Sequence, residues 1–96
     1  MTSEAEVGEA VAQAHRREWA LVLAATVRVV RDLDLAEECA QEAYAKALRT
    51  WAVNGVPARP GAWLTTVARN RGKDLLRRES VLRSALPLLE IGRAHV

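Results

Sequence analysis

The sequence predicts an all-α protein, a small helical bundle of three to four helices, and three observations carry that expectation. Half of its 96 residues are apolar, with Ala and Leu dominant and Phe absent. The apolar residues recur at three- and four-residue steps, the period of a helix face, and not in the alternation of a strand. Turn-forming residues gather at two separated places, Asp32-Leu33-Asp34 and Asn54 to Pro60, which divide the chain into long uninterrupted stretches. A chain of this size forms one domain with a modest core.

Ser3 with Glu6 fits a capping box and opens the first helix. Val7, Val11, His15, Trp19, Val22, Thr26 and Val30 then trace one apolar face, long enough to be bent or broken partway. His15 on that face reads as a packed core histidine. No second His, Cys or carboxylate cluster completes a metal spacing around it.

Asp34 offers an N-cap for a second helix over about 35–51. Ala36, Ala40, Ala43, Ala47 and Trp51 form its packing stripe, and small residues there let neighbouring helices approach closely. Asp34, Glu37, Glu38, Gln41 and Glu42 crowd its first two turns. The helix dipole accounts for two or three such acids, less easily for all of them.

Val53 to Pro60, with Asn54-Gly55 and two prolines, reads as a rigid loop of eight residues. A third helix follows from Gly61 or Ala62 to Arg78 or beyond, with a break at Pro87. On a helical wheel Leu64, Val67, Ala68 and Leu75 gather on a packing side. Thr66, Asn70, Lys73 and Arg77 gather opposite, with Arg69 at the edge, a strip suited to nucleic acid. Arg71 falls on the packing side, where it is expected to snorkel or to pair with a carboxylate of another helix in preference to touching DNA. Gly72 is costly inside a helix; a close approach of two helices would account for it, and so would drift.

Net charge is only +2, but residues 1–52 hold six Lys and Arg against nine Asp and Glu, and residues 53–96 hold eight against three. An acidic front and a basic back suggest two partners, a basic protein surface and phosphates. Ordinary solvated helix faces remain the plain alternative. The lone Cys39 forms no internal disulfide, which favours a cytoplasmic setting. No stretch has the length of a membrane span, and the start lacks the features of a secretory signal. No catalytic constellation, phosphate-cradling glycine loop or cofactor motif is present, so an enzyme is not expected.

Two runs resemble a known family. Asp34-Leu-Ala-Glu-Glu-Cys-Ala-Gln-Glu-Ala-Tyr-Ala-Lys-Ala-Leu-Arg-Thr-Trp51 resembles region 2.2 of RNA polymerase sigma factors of the extracytoplasmic-function type. Pro60-Gly-Ala-Trp-Leu-Thr-Thr-Val-Ala-Arg-Asn-Arg-Gly-Lys-Asp-Leu-Leu-Arg-Arg-Glu79 resembles their regions 2.3 and 2.4. The resemblance covers roughly residues 7–86. The stretches Ala14-His-Arg-Arg-Glu-Trp-Ala20 and Asn54-Gly-Val-Pro57 are similar to a subgroup whose members carry a long C-terminal extension.

By position, the resemblance implies that Asp34, Glu37, Glu38, Gln41 and Glu42 dock on the clamp helices of the largest subunit of core RNA polymerase. It assigns the loop Val53–Pro60, with Asn54 and Arg59, and the polar face of the third helix to the promoter −10 element. There the family opens the duplex and holds a flipped base of the non-template strand. Asn70 is the candidate for base contact; Thr66, Arg69, Lys73, Arg77 and Arg78 line the same face, the cations as candidates for the backbone. Trp63 reads as a core anchor in preference to a stacking platform. An anti-sigma factor is a candidate partner that the sequence neither requires nor excludes.

The second, −35-reading helical domain of the family has no counterpart in this sequence. Residues 1–86 are therefore expected to form the domain and 87–96 a tail. Ile91-Gly-Arg-Ala-His-Val96 resembles no part of the family and matches one reading frame of a widely used sequencing adapter, so residues 91–96 are expected to be artefactual. Two rival readings stand beside the first. One is a free-standing duplex-binding regulator whose third helix enters the major groove. The other is a helical interaction module or non-functional fragment.

Overall fold

The structure is a computed structural model that describes residues 3–94, with side chains through Pro87. Three helices make up the fold: α1 (Glu4–Val30), α2 (Leu33–Asn54) and α3 (Pro60–Ala94). No strand occurs among the described residues. Each helix touches both of the others.

The expected start of α1 is observed: Ser3 is its N-cap, and its hydroxyl oxygen accepts the Glu6 N–H at 3.1 Å. α1 runs unbroken for 27 residues. Its buried face is Val7, Ala14, Val22, Thr26 and Val30. His15 is exposed, contrary to the expectation of a core histidine. Ala14 is buried in its place, and its carbonyl accepts from the Tyr44 hydroxyl of α2 at 3.3 Å. The His15 ring packs at the rim of this contact, stacked on Trp19 with centroids 4.9 Å apart and edge-on to Tyr44 at 5.2 Å. Thr26 is fully buried yet satisfied, its hydroxyl donating to the Val22 carbonyl at 2.7 Å.

Arg31, at φ 57°, ends α1 in the left-handed region, and α2 starts almost at once. The N-cap is Asp32 and not Asp34: the Asp32 carboxylate accepts the Leu35 N–H at 2.9 Å. A turn this tight leaves only Asp32 in the extended conformation a cap requires, and Asp34 falls inside the first turn. The alanine stripe is buried as expected, with Ala36, Ala40, Ala43 and Ala47 fully covered and Trp51 nearly so.

α2 extends to Asn54, so the loop before α3 is five residues, 55–59, and not eight. Gly55 closes α2 at φ 87°, a conformation that strains any residue with a Cβ, and its N–H donates to the Trp51 carbonyl at 2.9 Å. α3 begins one residue earlier than expected because Pro60 has its φ already set for a first helical position and has no N–H to lose there. The Trp63 N–H donates to the Arg59 carbonyl at 3.1 Å.

The core joins Val7, Ala14 and Val22 of α1, Ala40, Ala43, Tyr44, Ala47 and Trp51 of α2, and Leu64 and Ala68 of α3. Trp63 packs edge-on against Trp51 at 5.4 Å, half-buried, as an anchor of the α3 start. Gly72 marks the close approach that the sequence left open: a Cβ there would lie 2.6 Å from the Val30 Cγ1.

Beyond Gly72 the packing thins, and α3 overruns the bundle, which explains the elongated 59 × 26 × 17 Å shape. The expected break at Pro87 is absent from the described backbone; the helix runs through it. Arg83, four residues earlier, is exposed, so the carbonyl that loses its partner can turn to solvent. Residues 95 and 96, part of the expected artefactual tail, lie outside the described residues, as do the side chains beyond Pro87.

Candidate nucleic-acid interface

The register of α3 is fixed by Leu64, Ala68 and Gly72, which are buried against the other two helices. That register turns Thr66, Arg69, Asn70, Lys73, Arg77 and Arg78 outward, and all six are exposed. Asn54 and Arg59, at either side of the loop, are exposed as well. Arg59, Arg69, Lys73 and Arg77 enter no ion pair among the described residues, while Arg78 bonds Asp74 at 3.2 Å. Unpaired cations beside an amide that can both donate and accept make a surface suited to a phosphate backbone with accessible bases.

The acidic face lies on α2. Asp34, Glu38 and Gln41 are exposed and Glu37 is half-buried. Glu42 behaves differently. Its carboxylate accepts from Arg71 Nε at 2.7 Å, and Arg71 Nη1 reaches Asp74 at 3.2 Å. The sequence left Arg71 to snorkel or to pair with another helix; it pairs. The Glu42 hydrogen bond pushes the Arg71 guanidinium higher still, so it stays charged.

Two functional candidates escaped the sequence reading. A groove of about 480 Å³ between α2 and α3 is lined by Lys46, Arg49, Asn70, Arg71, Glu42 and Asp74 over an apolar floor that includes Val67. Lys46 and Arg49 enter no ion pair among the described residues. They follow Glu42 by four and seven residues, so they share its side of α2. Knowing that Glu42 faces α3 would have found them.

Cys39 is buried behind this seam, and burial pushes its thiol above the usual range, with Glu42 adding to the effect. Among the described residues no group of three or more His, Cys, Asp or Glu is placed to hold a metal ion. No described helix is long and apolar enough to cross a membrane.

Against known proteins, the sigma-70 region 2 family matches residues 14–81. The chain belongs to the sigma-70 region 2 family. That membership ties it to the sigma factors of transcription initiation, a non-enzymatic family, and it agrees with the all-α bundle. The chain is also similar to an uncharacterized protein, R00370, of Rhizobium meliloti (strain 1021), with 48% identity over 69 residues. That match covers 72% of this chain but only 16% of the relative's length. No solved structure matches the chain. The matched span takes in α2, the loop and the bundled part of α3, where the cations, Asn70 and the acidic face lie.

Proposed function

We propose that this sigma-70 region 2 domain docks on core RNA polymerase through the acidic first turns of α2 and recognises and melts the promoter −10 element with its basic surface. One observation carries the reading. Within a family-matched domain, unpaired cations flank Asn70 on α3 while Asp34, Glu37, Glu38 and Gln41 crowd the first turns of α2. The carboxylates suit the basic surface expected of the clamp helices. The loop with Asn54 and Arg59, the α3 strip, and the groove cations Lys46 and Arg49 suit the non-template strand. Neutralised phosphates supply affinity, and Asn70 reads an unstacked base. The extracytoplasmic-function subgroup, the cytoplasmic setting and an anti-sigma partner belong to the same proposal.

Charge reversal of Glu37 and Glu38 to Lys is the decisive experiment. The variant should lose core-polymerase binding by at least about tenfold and keep its affinity for a single-stranded −10 oligonucleotide. Unchanged core binding would sink the docking assignment. In parallel, Lys73→Ala should weaken oligonucleotide binding and lower the salt slope by about 0.7.

A second reading gains from the five-residue, glycine-containing loop, which is nearer to the turn of a helix-turn-helix regulator than the expected eight residues. It predicts tighter binding to duplex than to single-stranded −10 DNA; the first reading predicts the reverse.

A further inference from the structure

Of the five α2 residues that the family resemblance assigns to polymerase docking, Glu42 is the one whose carboxylate is already engaged among the described residues. Its partner Arg71 uses two nitrogens on two carboxylates from different helices, Nε on Glu42 at 2.7 Å and Nη1 on Asp74 at 3.2 Å. The third nitrogen, Nη2, has no partner among the described residues. Arg71 lines the α2–α3 groove together with Asn70, Lys46 and Arg49. Its side chain is 34% exposed, against 68% for Arg78 on the same helix.

We propose that Glu42 and Asp74 hold Arg71 as a pre-set phosphate ligand of this groove, so that Glu42 serves the DNA-facing side of the domain and not its acidic docking face. The proposal rests on the reading of the groove as a path for the promoter strand. A free arginine surrenders rotamer freedom when it binds a phosphate, whereas one pinned by two carboxylates surrendered that freedom on folding. The planar fork makes the pinning specific: Nε and Nη1 fix the plane, and Nη2 is left to donate from a known position. Asp74 is shared with Arg78 at 3.2 Å, so Glu42 is the shorter tie and the one that crosses between helices. Arg71 is then the ligand and Glu42 its positioning residue.

Simple electrostatics argues for the opposite effect of removing Glu42, and that makes the proposal testable by sign. A carboxylate beside a polyanion repels it, so neutralising Glu42 should help DNA binding if charge alone mattered. The 96-residue chain and its variants are titrated with a fluorescent single-stranded −10 oligonucleotide and, separately, with core RNA polymerase. Circular dichroism melts check that each variant is folded. E42Q should weaken oligonucleotide binding several-fold and leave core binding at the wild-type level. E38Q should do the reverse, lowering core affinity while oligonucleotide affinity stays level or rises. R71K keeps the charge but loses the fork; it should weaken oligonucleotide binding as E42Q does, and the double variant should be no worse than either alone.

An E42Q protein that binds the oligonucleotide more tightly, or that loses core binding as E38Q does, overturns the proposal. Should E42Q fail to fold, R71K carries the test, and unchanged oligonucleotide affinity there overturns it equally. A wild-type chain that binds neither oligonucleotide nor core overturns the reading of the site and this inference with it. Binding of both, with E42Q behaving as charge alone dictates, overturns this inference only.

Discussion

Gly72 is buried where α3 crosses the end of α1, and two physical effects oppose each other there. Helix propensity favours Ala over Gly by about 1 kcal/mol. A Cβ at this position, however, would lie 2.6 Å from Val30 Cγ1, well inside contact distance. Val30 is β-branched and stiff at χ1, and is itself buried, so it has little room to yield. Overpacking typically costs about 1–3 kcal/mol, which outweighs the propensity gain. Gly72→Ala should therefore lower stability in urea unfolding, and Val30→Ala in the same chain should recover part of the loss. Tyr44 gives a second test at this scale. Burial, with Glu18 adding to it, pushes its phenol from 10.0 to about 12. Because the folded value lies above the unfolded one, the neutral phenol's stabilisation is complete below about pH 10. It is lost as pH climbs towards 12, at no more than about 1.4 kcal/mol per pH unit. Tyr44→Phe should flatten that alkaline limb of stability against pH while losing the bond to Ala14. A limb of equal slope in both proteins would show that other groups produce it. Residue by residue, legibility followed surroundings. The outward set on α3 could be read from the wheel because Leu64 and Ala68 fix the register. His15 could not, since which of two adjacent residues is covered depends on where Tyr44 arrives from another helix.

Element boundaries depended on caps whose conformation a sequence only suggests. Asp32 and Asp34 both satisfy the chemistry of an N-cap. Only the left-handed turn at Arg31 decides between them, by leaving Asp32 extended with its carboxylate 2.9 Å from the Leu35 N–H. Asp32→Ala should cost about 1 kcal/mol of stability. Asp34→Ala, an exposed first-turn acid without that bond, should stay within about 0.5 kcal/mol. Equal losses in thermal or urea unfolding would return the cap to Asp34. The loop was misjudged for a related reason. Val53 and Asn54 are poor helix formers, yet α2 holds them because Gly55 supplies the closing bond to Trp51. The shorter loop sets Val56 and Pro60 in a small cleft with Gln13 and Arg17 of α1. Asn54 and Arg59 therefore flank a constrained connection, which suits the DNA contact proposed for this loop.

For the whole molecule, the three helices do unequal work, and α3 divides into a bundled half and an unsupported half. Its bundled half ends near Gly72, with Leu75 and Leu76 half-buried just beyond. From Arg77 through Leu86 no side chain is buried, and Val81 and Leu82 are 66% and 58% exposed. The sequence carries the third helix to Arg78 or beyond, but it does not say whether anything lies against the faces of its later turns. An unsupported helical extension adds little to folding stability, since isolated helices shorter than about 12–15 residues are marginal in water. Pro87 weakens it further by removing one backbone hydrogen bond. A chain ending at residue 86 should therefore unfold within about 0.5 kcal/mol of the full chain, with the same denaturant slope. Hydrogen exchange should show the same division, with amides at 64–72 protected to the global limit and those at 80–86 opening far more readily. A loss of several kcal/mol on truncation would mean that residues 87–96 pack on the bundle, and the boundary at residue 86 would then have to move. Unchanged stability combined with lost oligonucleotide binding would instead place part of the DNA contact on the overrun of α3.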